Sequence, residues 1–197
     1  MEKPRLQAGD VFCVTIAGPL SIVIRAIEKF WAEDDKAEFG HAGIITGEHG
    51  ATFEALSRCR HSNLDRYKGK HVLVARPIRS TDGGVIMRAD KIKAIKHLAS
   101  EHEGQWYPFW RLILHMLPPL PKYKSFSGRF LVCSEIVAKY EYLIATRQGP
   151  FTGINPDDLG DRWRSDKNYI ILHDDTWFWG DEYGGNLLGS LQPKNAS

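Results

Sequence analysis

Two short strand-like runs, His41-Ala-Gly-Ile-Ile-Thr46 and Ala51-Thr-Phe-Glu-Ala-Leu56, are separated only by Gly47-Glu-His-Gly50. Apolar and β-branched residues on either side of a four-residue linker with a glycine at each end predict a β-hairpin. A hairpin cannot bury its own apolar face, so the rest of the chain has to supply a sheet around it and a layer above it. The run Val11 to Ile16 following Gly9-Asp10 and the run Val72 to Arg76 stopped by Pro77 predict two further strands, and Tyr169 to Leu172 predicts a last one.

Helical spacing supplies the covering layer. Leu20, Val23, Ile24, Ile27 and Phe30-Trp31 recur with the period of a helix from about Pro19 to about Ala32, and Ile92, Ile95, Leu98 and Ala99 share one face of a segment from Ala89 to His102 that Gly104 ends. Phe130-Leu-Val-Cys133 runs into Ser134 to Ile144, where Ile136, Val137, Tyr140 and Ile144 form an apolar stripe, so Cys133 falls at the start of a helix. The aromatic, proline-rich stretch Trp106 to Tyr123 reads as an ordered loop over a cleft, with one helix around Phe109 to Met116. Gln192 to Ser197 is expected to fray. With 197 residues and neither repeat nor low-complexity linker, the economical account is one α+β domain over 1–197, an antiparallel sheet packed on helices.

Composition excludes several classes of function. A net charge of +2 predicts no nucleic-acid partner, and the local basic group Arg58, Arg60, His61, Arg66, Lys68 and Lys70 reads as solvated surface. Three cysteines, Cys13, Cys59 and Cys133, form neither a disulfide framework nor a metal knuckle, and reduced thiols follow. The apolar stretches Pro19 to Ile27 and Leu112 to Leu117 fall short of the ~20 residues of a membrane span. The first ten residues lack the apolar region and cleavage site of a secretory signal, which predicts a cytoplasmic protein, with delivery to a cell wall by another route left open. His49, His61, His71, His97, His102, His115 and His173 show no paired ligand spacing, so neither a metal nor a cofactor is expected; His173-Asp174-Asp175 is expected to form an exposed turn. Cys13 reads as a strand-core thiol and Cys59 as a loop thiol.

Cys133 has a different setting. A thiol attacks a carbonyl as thiolate, and the free N–H groups and dipole at a helix N-terminus stabilise that anion, the more so with an imidazolium alongside. The same N–H groups can stabilise an oxyanion. His41, heading its strand, is the candidate base, and Glu54 lies across the hairpin where it can orient the imidazole, opposite or diagonal according to register.

The ordered motifs Gly9-Asp10-Val-Phe, Gly40-His41-Ala-Gly-Ile, Thr52-Phe-Glu54-Ala, Gly104-Gln-Trp-Tyr107, Val132-Cys133-Ser-Glu-Ile-Val and Ile154-Asn-Pro156-Asp-Asp-Leu159 resemble those of the circularly permuted NlpC/P60 group, the YiiX/YaeF-like branch of the papain-like superfamily. The resemblance runs from about Gly9 to Leu159, with the His strand before the Cys helix as in the permuted branch; 160–197 falls outside it as a C-terminal strand and tail. It implies a cysteine peptidase or amidase with Cys133 as nucleophile, His41 as general base and acid, and Glu54 orienting His41. Tyr107 enters as a substrate or oxyanion contact. The implied partner is a peptide, often of the cell wall, while some permuted relatives act on lipid acyl groups. A lipid or thioester acyl hydrolase of the same fold and a catalytically silent binding module are the alternatives, and the cleft is expected between the Cys133 helix and a sheet edge carrying His41. Substrate identity and oligomeric state have no signature in the sequence.

Overall fold

The computed structural model describes residues 4–15, 38–106, 133–149 and 154–178. The expected helices at Pro19 to Ala32 and Phe109 to Met116, and Tyr107 itself, lie outside the described residues. What is described is an α+β fold in which six strands form one antiparallel sheet in the order β4-β3-β2-β1-β5-β6. These strands are β1 (Val11–Val14), β2 (His41–Ile45), β3 (Ala51–Ala55), β4 (Cys59–Asn63), β5 (His71–Pro77) and β6 (Tyr169–Thr176). Three helices are described: α1 (Arg88–His102), α2 (Cys133–Leu143) and α3 (Pro156–Ser165). None of them is long and apolar enough to cross a membrane.

The central strands are apolar on both faces because both faces are covered. Along β1, Val11 and Cys13 join the core beneath the helices, where Ala42, Ile44, Phe53 and Leu73 meet Ile95, Leu98, Ile136, Val137, Tyr140 and Trp163. Phe12 and Val14 point the other way, into a second core with Leu6, Ile45, Leu64, Tyr67, Val72, Val74 and Trp177. β1 pairs with β2 from Val11 with Ile44 to Val14 with His41, and this register sets His41 at the end of an interior strand. Gly9 makes the turn into β1 with φ +97°, and its N–H bonds to the carbonyl of Ile45 at 2.8 Å. Asp10, fully buried, accepts from Arg76 Nε at 2.7 Å and from the Gln7 N–H at 2.8 Å, so the chain entering the sheet is tied to β5.

Several expectations need correction. His41 is not on a sheet edge; the edges are β4 and β6. The stretch beginning at Cys59 is an edge strand followed by a 3₁₀ turn, Leu64–Tyr67, and Cys59 is a buried strand residue, not a loop thiol. His173-Asp174-Asp175 belongs to β6 rather than to a turn, with Val72, Leu73 and Val74 as its cross-strand partners. Both misreadings concern edge strands, where charged residues take the place of the apolar alternation that marks an interior strand.

Candidate active site

The start of the strand that bears His41 is held by backbone pairing and by a carboxylate. β1 pairs with it through Val14, the Gly40 N–H bonds to the Val14 carbonyl at 3.1 Å, and Asp157 Oδ1 accepts from the N–H groups of Glu38 at 2.9 Å and Phe39 at 3.1 Å. Asp157 is fixed in turn by the start of α3, which Asn155 caps by accepting from the Asp158 N–H, with Pro156 in the first turn. The Asn155-Pro156-Asp157-Asp158 motif thus braces the entry to the strand that bears the histidine.

Across the hairpin, β2 and β3 pair by backbone at Ile44 with Phe53 and Ile45 with Thr52. Toward His41 the join is made by side chains: His41 Nε2 bonds to Glu54 Oε2 at 2.6 Å. This is the diagonal arrangement of the two the hairpin allowed. The Tyr67 hydroxyl donates to the same oxygen at 2.5 Å and the Thr52 hydroxyl to Oε1 at 3.2 Å, while Arg66 Nη1 lies 3.8 Å from Oε1. Burial alone would raise the Glu54 carboxyl, but the hydrogen bond and charge of His41, then the hydroxyls of Tyr67 and Ser62, hold it below its ordinary value. Glu54 is therefore an anion inside the sheet layer, with donors on both oxygens.

Gly43 leaves the room for this arrangement. A Cβ there would lie 2.6 Å from the Phe12 ring and 3.1 Å from Glu54 Cβ. The Phe12 ring lies edge-on to His41, with centroids 6.3 Å apart, and is tilted on Tyr67 at 5.8 Å, so it walls the imidazole on the side away from the helices.

Cys133 is the first residue of α2, which packs over β2. His41, engaged through Nε2 by Glu54, also hydrogen-bonds with the Cys133 side chain. Burial disfavours a thiolate here, but the charge and hydrogen bond of His41 and the N–H groups of Ala42 and Ser134 outweigh it and hold the thiol below its ordinary value. The imidazole responds in kind: burial works against its charge, yet Cys133 and Glu54 push it up to about 9. The two groups titrate as a coupled pair, in which each charge favours the other. Such a pair can attack an acyl carbon, and the N–H groups at the start of α2 can take up charge on the acyl oxygen.

The other two thiols differ. The Cys13 thiol bonds to the Pro156 carbonyl at 3.2 Å, and burial pushes it well up; Cys59 is pushed up to about 11 by burial and by the negative charge of Cys133. Among the three cysteines, Cys133 alone is shifted toward the thiolate.

One group of described residues has the donor types for a cation. Glu38, His71 and Asp174 bring ligand atoms within 4.8 Å of one another. His71 already bonds through Nδ1 to Glu38 and through Nε2 to Asp174, both at 2.8 Å, and Arg164 pairs with both carboxylates, at 2.7 Å to Glu38 and 2.8 Å to Asp174. A cation would have to displace a guanidinium and break both histidine bonds, so the donor set fits an ion-pair clasp between β5, β6 and α3 rather than a metal.

Sequence reasoning missed Tyr67, which follows a polar edge strand with no periodic signal. It also missed the brace formed by Asp157, although an Asn-Pro-Asp-Asp run is a recognisable helix start.

No family model matches the chain, and no curated protein matches it. Among solved structures, the crystal structure of the metalloprotein YiiX from Escherichia coli O157:H7 aligns with 88% of this chain and 89% of that one, at 19% sequence identity and a TM-score of 0.49. At that identity and score the similarity bears on neither the site nor its chemistry.

Proposed function

We propose that this chain is a cysteine hydrolase of papain-like type with the permuted NlpC/P60 order, cleaving an amide bond of a peptide. The observation that carries the reading is the buried row Cys133, His41, Glu54, in which the thiol is shifted down and the imidazole up. A hydrogen-bonded histidine in a core is usually structural, and a buried cysteine is usually inert. Burial would then raise the thiol and lower the imidazole, and both shifts run the other way.

In this mechanism the Cys133 thiolate attacks the scissile carbonyl carbon, forming a C–S bond while negative charge moves to the oxygen and is met by N–H groups at the start of α2. Collapse breaks the C–N bond, and the His41 imidazolium gives its proton to the leaving amine. Neutral His41 then takes a proton from water, whose oxygen attacks the thioester; the C–S bond breaks, the acid product leaves, and the thiolate–imidazolium pair is restored. Glu54 stays ionised throughout and fixes the ring so that one nitrogen faces the sulfur. Tyr107 is the remaining member of the proposal, as a substrate or oxyanion contact.

The test is intact-mass spectrometry of the protein mixed with peptide amides and, separately, with acyl esters and thioesters. A covalent acyl adduct on Cys133 that decays with product release supports the mechanism, and the substrate giving the faster turnover decides between amide and ester chemistry. Full turnover by Cys133→Ala would end the assignment.

A further inference from the structure

The end of the sheet that carries His41 also carries an arginine with a specific seat. β2 and β3 are antiparallel, so the start of β2 lies beside the end of β3, and the turn from β3 to β4 passes through Arg58 at this end. Ala55 pairs with Cys59 across that turn, and the Leu56 N–H bonds to the Arg58 carbonyl at 3.1 Å. The segment after α1 closes on the same place. Arg58 and Trp106 form a β-bridge, the Cys59 N–H bonds to the Gln105 carbonyl at 2.9 Å, and the Gly104 N–H bonds to the Cys59 carbonyl at 2.8 Å. Cys59, next in the chain to Arg58, belongs to the same buried core cluster as Cys133.

On this fixed backbone the Arg58 guanidinium lies over the Trp106 indole, 4.0 Å from the ring centroid. Both side chains are exposed, the indole at 61%. Stacking holds the guanidinium plane while leaving its N–H edge free for a planar, two-oxygen acceptor. Among the described residues no carboxylate pairs with Arg58. Arg60, also exposed, lies on the same edge of the sheet, and the nearby Glu54 is committed to His41, Tyr67 and Arg66. An anion approaching this end of the sheet therefore meets a guanidinium whose fork is held in place by the indole.

We propose that Arg58, seated on Trp106, is the specificity residue of the site and binds a carboxylate of the peptide substrate near the scissile amide. This rests on the cysteine-hydrolase reading, and it deepens it by naming an acidic peptide as the substrate class. A lysine would keep the charge without the stacked fork, so Arg58→Lys is expected to retain only part of the preference.

The test does not require turnover. The α-amides of N-iodoacetyl-glutamate and N-iodoacetyl-glutamine alkylate thiols by the same chemistry, have no α-carboxylate, and differ only in a side-chain carboxylate against a carboxamide. Rates at Cys133 are measured by mass spectrometry at low salt for the wild type, Arg58→Gln and Arg58→Lys, with iodoacetamide as the uncharged reference. The expected result is a glutamate over glutamine preference larger in the wild type than in Arg58→Gln by about fivefold, the scale of one exposed charge pair, shrinking as salt is added. The iodoacetamide rate should be unchanged in the variants. An equal ratio in wild type and Arg58→Gln, with Cys133 still fast toward iodoacetamide, would overturn the anion site and leave the hydrolase reading standing. A Cys133 slow toward all three reagents would remove the hydrolase reading, and this inference with it.

Discussion

Replacing Gly43 by alanine ought to help an ordinary strand, because alanine costs less backbone entropy than glycine, by about 0.5–1 kcal/mol, and the backbone at Gly43 is plain extended strand with no positive φ. Here the added methyl has nowhere to go. It would meet the Phe12 ring at 2.6 Å on one side and Glu54 Cβ at 3.1 Å on the other, where 3.4 Å or more is ordinary contact. The ring must retreat by roughly 1 Å to reach normal carbon–carbon separation. Its other side is fully buried against the second core, so the movement is resisted, and overpacking of this kind costs about 1–3 kcal/mol. Phe12 walls His41, and Glu54 orients it, so the same strain reaches the imidazole. A displacement of about 1 Å there is worth on the order of 100-fold in reactivity. Urea unfolding with linear extrapolation measures the first effect, and the alkylation rate of Cys133 at pH 6 measures the second. Phe12→Leu combined with Gly43→Ala should show positive coupling, the double variant losing less than the sum of the single changes. If Gly43→Ala is as stable as the wild type and Cys133 reacts unchanged, the close packing of Phe12, Gly43 and Glu54 is not what sets the imidazole.

Two further changes probe the carboxylate. Glu54→Gln keeps the shape but removes the charge facing His41, so the imidazole should lose its proton earlier, and the alkaline limb of the Cys133 pH–rate profile should move down from about 9 by about 1–2 pH units; an unmoved limb would count against the pair. Tyr67→Phe deletes the 2.5 Å bond to Glu54, at a cost of about 1.5–3 kcal/mol near neutral pH. Because the Glu54 value is depressed in the folded state, its stabilisation is present above its unfolded value of 4.5 and is lost as pH falls through the folded value. The deficit of Tyr67→Phe should therefore shrink in acid, and a deficit that is the same at every pH would assign it to packing alone.

The parts of the site that were legible in the sequence share a physical cause. His41, Glu54 and Cys133 each sit on an element with a strong local signal: apolar strand runs either side of a glycine-bounded turn for the first two, and a helical stripe of Ile136, Val137 and Tyr140, all buried here, for the third. β1 and β5 were readable for the same reason, since strands covered on both faces are continuous apolar runs. The edge strands were not. In β4 the sequence Cys-Arg-His-Ser-Asn carries no alternation, since only Cys59 is buried, and in β6 the neighbours Asp174 and Asp175 are both exposed, as are Ile170 and Ile171, so burial does not follow a two-residue period. Tyr67 reaches Glu54 because a 3₁₀ turn swings it back under the sheet, and 3₁₀ turns leave little trace in residue patterning. Register decided the rest. The sequence left His41 and Glu54 either opposite or diagonal, and the pairing of Ile44 with Phe53 makes them diagonal.

The central claim is the thiolate–imidazolium pair, and the most direct measurement is the pH dependence of iodoacetamide alkylation, with the modified cysteine located by mass spectrometry. Cys133 should be labelled at pH 6 far faster than Cys13 and Cys59, whose thiols are pushed up by burial, and His41→Ala should abolish that advantage. Reaction of Cys133 at the pace of an ordinary thiol, rising only near its unperturbed value of 9.0, or an advantage that survives His41→Ala, would contradict the account.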